Sequence, residues 1–227
     1  MTKHEKAAEA DPRERMREIQ AEFSARGDAL GWFEAVYQEA AGSNETIPWA
    51  DLEPNRYFRA WAEQVGLSGE GRSALVVGCG LGDDARYLYD LGFTVTGFDI
   101  SPTAIDWAKR LHAETDIRFE VMDLFEPFRG WLGAFEFVLE IYTIQPLPLE
   151  IRERTIDAIA SFVAPSGELV VVTRGREDDE EPEELPWPMS RRELSRFEIH
   201  GFEQTYFEVM PGDDETPQNR FVVVYER

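Results

Sequence analysis

Leu75-Val76-Val77-Gly78-Cys79-Gly80-Leu81-Gly82, followed by Thr94-Val95-Thr96-Gly97-Phe98 and then Asp99, is the stretch that decides the fold. A short β-branched run enters a turn of three glycines, and a helix-like pattern leaves it. The next strand-like run ends on a carboxylate. In an open parallel sheet the ligand crevice lies beyond the carboxyl ends of the strands. Glycine lets backbone approach a ligand closely, because no Cβ intervenes. A carboxylate at the next strand end can accept both hydroxyls of a ribose. The chain is built to hold a nucleoside-bearing ligand.

The spacing narrows the ligand. A dinucleotide site reads G-x-G-x-x-G, whereas here the third glycine is Gly82 and the pattern is G-x-G-x-G. Asp83 and Asp84 then open the helix. Carboxylates suit the positive end of a helix dipole, but they repel the pyrophosphate that this end must hold in a dinucleotide site. The expected ligand is a nucleoside with a cationic or zwitterionic tail, a description that S-adenosylmethionine fits. The segment resembles motifs I and II of the class I S-adenosylmethionine-dependent methyltransferases. A nicotinamide oxidoreductase and a non-catalytic module that only binds the cofactor are the competing readings.

Around this segment strands alternate with helices. Strands are expected at 73–77, 94–98, 117–121, 135–141 and 168–172, with helices at 83–91, 102–114 and 149–162 between them. That pattern predicts an α/β fold, a doubly wound Rossmann-like sheet. A short helix at 190–199 and two consecutive strands at 202–209 and 220–225 close the chain. The resemblance implies seven strands, the last antiparallel. Residues 1–26, charged and alanine-rich, read as a flexible segment, a frayed helix or disordered lead-in. Residues 27–227 read as one domain. Within it, 27–70 form a helical cap with helices at 28–41 and 55–65, and 71–227 form the Rossmann-like core.

Composition sets the outer bounds. The 227 residues carry 43% hydrophobic and 12% aromatic side chains, enough for one packed domain. The formal net charge of −22 repels phosphate backbones and anionic headgroups, so neither nucleic acid nor a membrane surface is expected as a partner. Cys79 is the single cysteine, which removes internal disulfides and cysteine zinc sites. No secretory signal pattern opens the chain. A cytoplasmic monomer or homodimer acting on a small-molecule acceptor is expected, with no metal.

The resemblance also implies site residues. The cofactor set is Gly78, Cys79, Gly80, Gly82, Asp99, Ile100, Asp123, Leu124 and Glu140. Asp123 would accept the adenine amine, with Leu124 or Met122 over the ring. Glu140 would hold the methionine ammonium or support the turn beneath it. Tyr142 would line the pocket by the sulfonium, where an aromatic face attracts a cation, and Tyr142 and Glu140 are the catalytic candidates. Trp32, Phe33 and Trp49, ahead of motif I, resemble the lid of the thiopurine and thiol S-methyltransferase-like branch. Trp187, in Leu185-Pro186-Trp187-Pro188 beyond the acidic run 176–184, is a flap residue beside that lid.

Methyl transfer is an in-line displacement that depends on positioning and exclusion of water. The three histidines, His4, His112 and His200, lie far in sequence from the strand ends. A site without a histidine base suits a thiol or another soft nucleophile first, and an oxygen or nitrogen acceptor second. The Asn/Asp-Pro-Pro-Tyr signature of nucleobase and glutamine N-methylation is absent.

Overall fold

The computed structural model describes residues 11–182, 185–212 and 216–227. Seven strands form one sheet: β1 (Ser73–Val77), β2 (Thr94–Asp99), β3 (Arg118–Val121), β4 (Phe135–Ile141), β5 (Val163–Arg174), β6 (Glu203–Met210) and β7 (Arg220–Glu226). Their order is β3-β2-β1-β4-β5-β7-β6. Strands β1 to β5 run parallel, and β7 runs antiparallel between β5 and β6. The chain leaves β1 toward β2 on one side and returns beside it as β4 on the other. This reversal is the switch point at which a crevice opens in doubly wound sheets.

Strand side chains alternate between two helical layers. Val77, Val138, Val171 and Val223 pack with Ile156 and Ile159 of α6 (Arg152–Ala160). Val76, Leu139, Val170 and Val222 pack with Phe58 of α3 (Arg56–Val65), Leu88 of α4 (Asp83–Asp90) and Ile105 of α5 (Pro102–Leu111). Each fully buried side chain of this size contributes about 1.5–3 kcal/mol. Period-two burial on both faces is what makes the sheet internal.

Local signals fix the ends. Asn55 caps α3, its Oδ1 accepting from Tyr57 N at 3.0 Å and Phe58 N at 3.2 Å, and Gly66 ends the helix in the left-handed conformation. Ser101 caps α5 through Ala104 N at 3.0 Å, with Pro102 in the first turn. The helix expected to begin at 149 opens as a 3-10 turn, Leu149–Ile151, before α6. Strand β5 starts five residues earlier than its apolar run, because a register shift between Phe135 and Phe137 accommodates Pro165, Ser166 and Gly167 as a bulge.

Two expectations about the amino-terminal region change. Part of the lead-in is an ordered helix, α1 (Pro12–Ala25), whose Met16 and Ile19 are buried, while residues 1–10 lie outside the described residues. Its amphipathic stripe is short, which is why charge dominated the reading. The cap is α1, α2 (Gly31–Ala40) and residues 44–50, packed on Leu81, Ala104, Trp107 and Leu185. Helix α3, counted with the cap on sequence grounds, belongs to the sheet layer, because Phe58 and Trp61 pack against it. Among the described residues no helix is long and apolar enough to cross a membrane.

Candidate active site

The glycine turn leaves β1 with Gly78, Gly80 and Gly82 all at positive φ, 59°, 52° and 89°. A Cβ on Gly78 would stand 2.5 Å from Thr143 Oγ1, and one on Gly80 would stand 2.9 Å from the Tyr37 hydroxyl. The turn is a cradle that side chains would fill. Cys79 enters it through its backbone, its N–H donating to Phe98 O at 2.8 Å. Its sulfur packs back on β2, 3.0 Å from where a Cβ on Gly97 would sit.

Asp99 ends β2 directly across the turn. Its Oδ2 accepts from Gly80 N at 3.0 Å and its Oδ1 from Ser101 N at 2.9 Å. Burial raises its pKa, against the lowering effect of those amides. Each oxygen keeps acceptor capacity for a further donor, as two ribose hydroxyls require. Ile100 is half-buried beside it. At the end of β3, Asp123 Oδ1 accepts from Phe125 N at 2.8 Å, and the side chain is half-buried. Its flanking Met122 and Leu124 are buried in the apolar core and form a floor at this edge. These carboxylates and the glycine amides fit a nucleoside with a zwitterionic tail.

Glu140 is fully buried beneath the turn. Its Oε1 accepts from Thr143 N at 2.6 Å and Ile144 N at 3.0 Å, while Oε2 has no partner among the described residues. Burial pushes its pKa up to about 7. Thr143 Oγ1 donates to Val77 O at 3.0 Å. Glu140 thus supports the loop that abuts Gly78. Tyr142, between them, is half-buried at φ 58° with its hydroxyl accepting from Arg220 Nε at 2.9 Å.

The aromatic lid residues expected from sequence come together. Trp32 is buried, stacked on Phe33 with ring centroids 3.9 Å apart, and meets Trp49 edge-on at 6.1 Å. The Trp49 indole N–H donates to the Tyr37 hydroxyl at 2.8 Å. Phe33 and Trp187 pack on the same cluster as Leu185. Trp187 is held at its backbone, its N–H donating to Gln145 O at 3.0 Å and its carbonyl accepting from Arg152 at 2.9 Å. The acidic run ahead of it is exposed at 177–181, and Glu183 and Glu184 lie outside the described residues.

Sequence reasoning missed three residues that hold this arrangement. Glu34 of α2 accepts from Ser101 Oγ at 2.5 Å, Thr103 Oγ1 at 2.6 Å and Thr103 N at 3.1 Å. Burial raises its pKa, but the hydrogen bonds from Ser101 and Thr103 prevail and hold it below the usual range. The cap is therefore latched to the start of α5 beside Asp99. Asp84 accepts from Asn55 N at 2.7 Å, and burial pushes it up to about 7. Arg220 opens β7, almost fully buried. None of these contacts has a local period, so only the tertiary fold reveals them.

With this geometry in place, comparison with known proteins identifies relatives. Residues 74–167 match the family model described as a methyltransferase domain. A 2-heptyl-1-hydroxyquinolin-4(1H)-one methyltransferase of Mycobacteroides abscessus is 31% identical over 167 residues, covering 71% of this chain and 72% of that protein. A structure solved for the conversion of a disulfide bond into a thioacetal group during echinomycin biosynthesis superposes with TM-score 0.67 at 25% identity, over 86% of this chain and 91% of that one. The 1,6-didemethyltoxoflavin-N1-methyltransferase of Burkholderia thailandensis, solved with S-adenosylhomocysteine, shares the fold at TM-score 0.65 and 16% identity, over 98% and 93% of the two chains.

Proposed function

Because this chain belongs to the class I S-adenosylmethionine-dependent methyltransferases, we propose that it methylates a flat heteroaromatic small molecule on a hydroxyl or a thiol. The observation that carries the acceptor class is the convergence of Phe33, Trp49 and Trp187, backed by the buried Trp32, from three separate segments beside the glycine turn. Stacked and edge-on aromatics offer planar faces to a planar guest. The relative of Mycobacteroides abscessus acts on a hydroxyquinolinone, a guest of this shape.

In this reading the backbone of Gly78, Cys79, Gly80 and Gly82 cradles the methionine moiety. Asp99 takes the ribose hydroxyls, with Ile100 beside it. Asp123 takes the adenine amine over the floor of Met122 and Leu124. When bound, S-adenosylmethionine supplies a methyl group on a positively charged sulfur. The chain's own part is to orient and to exclude water. Glu140 and Thr143 fix the turn, Tyr142 borders the acceptor, and the cap closes over Asp99. Glu140, being buried, supports rather than exchanges protons with the acceptor.

A hydroxyl on a heteroaromatic ring comes first. Sulfur, placed first on sequence grounds, is the second reading, favoured by the fold neighbour whose chemistry converts a disulfide into a thioacetal. S-adenosylhomocysteine formation across hydroxyquinolinones, phenols, heteroaromatic thiols, aliphatic thiols and amines, with product masses, tests both. Turnover on planar hydroxyls or thiols is the expected result. Turnover confined to aliphatic amines overturns the proposal.

A further inference from the structure

The protein as a whole is strongly acidic, yet it buries a cation beside the turn that holds the cofactor. Arg220 is 3% exposed. Its Nε–H donates to the Tyr142 hydroxyl at 2.9 Å, and its terminal nitrogens donate to Thr216 Oγ1 at 2.6 Å and to the Gln218 carbonyl. The guanidinium also lies over the rings of Tyr57 at 5.5 Å and Tyr142 at 5.9 Å. Among the described residues, all of these partners are neutral and no carboxylate pairs with it. Burying a charge is costly unless a counter-charge is supplied. Two aromatic faces and three neutral oxygens offset only part of that cost.

Tyr142 is the group this cation acts through. A tyrosine at φ 58° is strained, and such strain gathers at functional sites. Asn55, whose Oδ1 is occupied by the backbone of α3, presents its amide to the same phenol. With its oxygen accepting from Arg220, the Tyr142 O–H remains a donor with no acceptor among the described residues. A hydroxyl whose oxygen accepts from a cation is a stronger donor. Tyr142 directly precedes Thr143, which packs on Gly78, so the backbone that carries this phenol abuts the glycine turn. A cavity of about 470 Å³ has Gly175, Arg176, Glu180, Glu181, Pro188 and Gln218 in its wall. Gln218 is the residue whose carbonyl holds Arg220, so the cavity wall and the buried cation are one unit. The volume suits a small ring system.

We propose that the acceptor binds here as an anion, its ionised oxygen or sulfur accepting the Tyr142 O–H, with Arg220 behind the phenol as the counter-charge. This rests on the methyltransferase reading and names its substrate class more closely. The acceptor's proton leaves to solvent on binding, so no side-chain base is required. The lone pair it leaves behind forms the new bond to carbon. As the old carbon–sulfur bond breaks, its electrons stay on the cofactor sulfur. The methylated product is neutral and no longer matches the cation, which favours its release. Tyr142 is the contacting residue, and Arg220 is a positioning and specificity residue that acts through it.

The test uses the complex of the full chain with S-adenosylhomocysteine and two chromogenic probes, 4-nitrophenol and 4-nitrothiophenol, at a fixed pH near their ionisation. The expected result is that binding raises the ionised-to-neutral ratio of at least one probe by about tenfold or more, read from its anion absorption band. Enrichment of the phenolate alone or the thiolate alone says which nucleophile the site takes. Tyr142→Phe and Arg220→Gln should abolish the enrichment, and Arg220→Lys should keep part of it. If Arg220→Gln fails to fold, Tyr142→Phe carries the test, since it removes one hydroxyl and keeps the ring. Equal binding of 4-nitroanisole, no binding of either probe, or enrichment unchanged in Tyr142→Phe overturns the proposal. Failure of the unaltered protein to bind S-adenosylhomocysteine would instead overturn the methyltransferase reading beneath it.

Discussion

Gly78→Ala measures how far the turn, rather than any ligand, demands glycine. The residue sits at φ 59°, and an added Cβ would lie 2.5 Å from Thr143 Oγ1 and 2.9 Å from Thr143 Cγ2. An L-residue in the left-handed region costs about 1–2 kcal/mol. Moving Thr143 aside also gives up its 3.0 Å hydrogen bond to Val77 O, a loss of about 0.5–1.5 kcal/mol. The combined loss is about 1.5–3.5 kcal/mol, which lowers Tm by about 3–14 °C in a domain of this size. Thermal unfolding of Gly78→Ala, Thr143→Ala and the double variant separates the two causes. Thr143→Ala removes the clashing atoms, so the double variant should be more stable than additivity predicts by about 0.5–1.5 kcal/mol. The backbone cost should remain. A Gly78→Ala protein that melts with the unaltered one refutes the whole estimate. Simple additivity in the double variant refutes the part assigned to Thr143.

Three further outcomes are expected. Asp99→Ala should weaken S-adenosylhomocysteine by about 1.5–3 kcal/mol, the range for hydrogen bonds to a charged group, and calorimetric affinity within twofold of the original would remove Asp99 from the ribose site. Burial raises the Glu140 pKa from 4.5 to about 7, so the folded state holds a proton that the unfolded chain has released. Its contribution to stability is therefore largest below the unfolded value, declines as pH rises from about 4.5 to 7, and is level above that. The span is about 3 kcal/mol, and chemical denaturation of Glu140→Gln across this window should lack that part of the slope. Glu34→Ala removes three hydrogen bonds at the start of α5 and should cost about 1–2 kcal/mol. Limited proteolysis should then cut ahead of residue 50 sooner than in the parent, and an unchanged cleavage pattern would argue that the aromatic cluster alone holds the cap.

The sheet was readable because its information is local. The β-branched runs at 73–77 and 135–141 and the glycines between strand and helix each carry their own period, and the structure reproduces those two bounds. The longer β5 was hidden by Pro165 and Gly167, which read as a turn but form a bulge. Trp49 and Trp187 stand out as aromatics in loops, whereas Trp32 and Phe33 lie in α2 and stand out as a tandem aromatic pair ahead of the glycine turn. Glu34, Asp84 and Arg220 were not. Each makes its decisive contact with a residue between 29 and 78 positions away; Glu34 and Arg220 look in sequence like ordinary surface charges, and Asp84 reads as a helix-opening carboxylate with no sign of its bond to Asn55. Tyr142 stands out for its position after β4, but the cation behind it comes from β7, two strands across the sheet and 78 residues later in the chain.

Ser101 joins the carboxylate that ends β2 to the cap. Its N–H donates to Asp99 and its hydroxyl donates to Glu34. Asp99 is 8% exposed, and the residue two positions on carries the hydrogen bond that latches α2 to α5. A change at the latch would therefore be felt at this carboxylate through the Ser101 backbone. Linkage makes such a coupling mutual: a nucleoside that binds the latched cap more tightly by some factor stabilises the latched state by the same factor. A single serine thus joins the carboxylate that ends β2 to a helix more than sixty residues earlier in the chain.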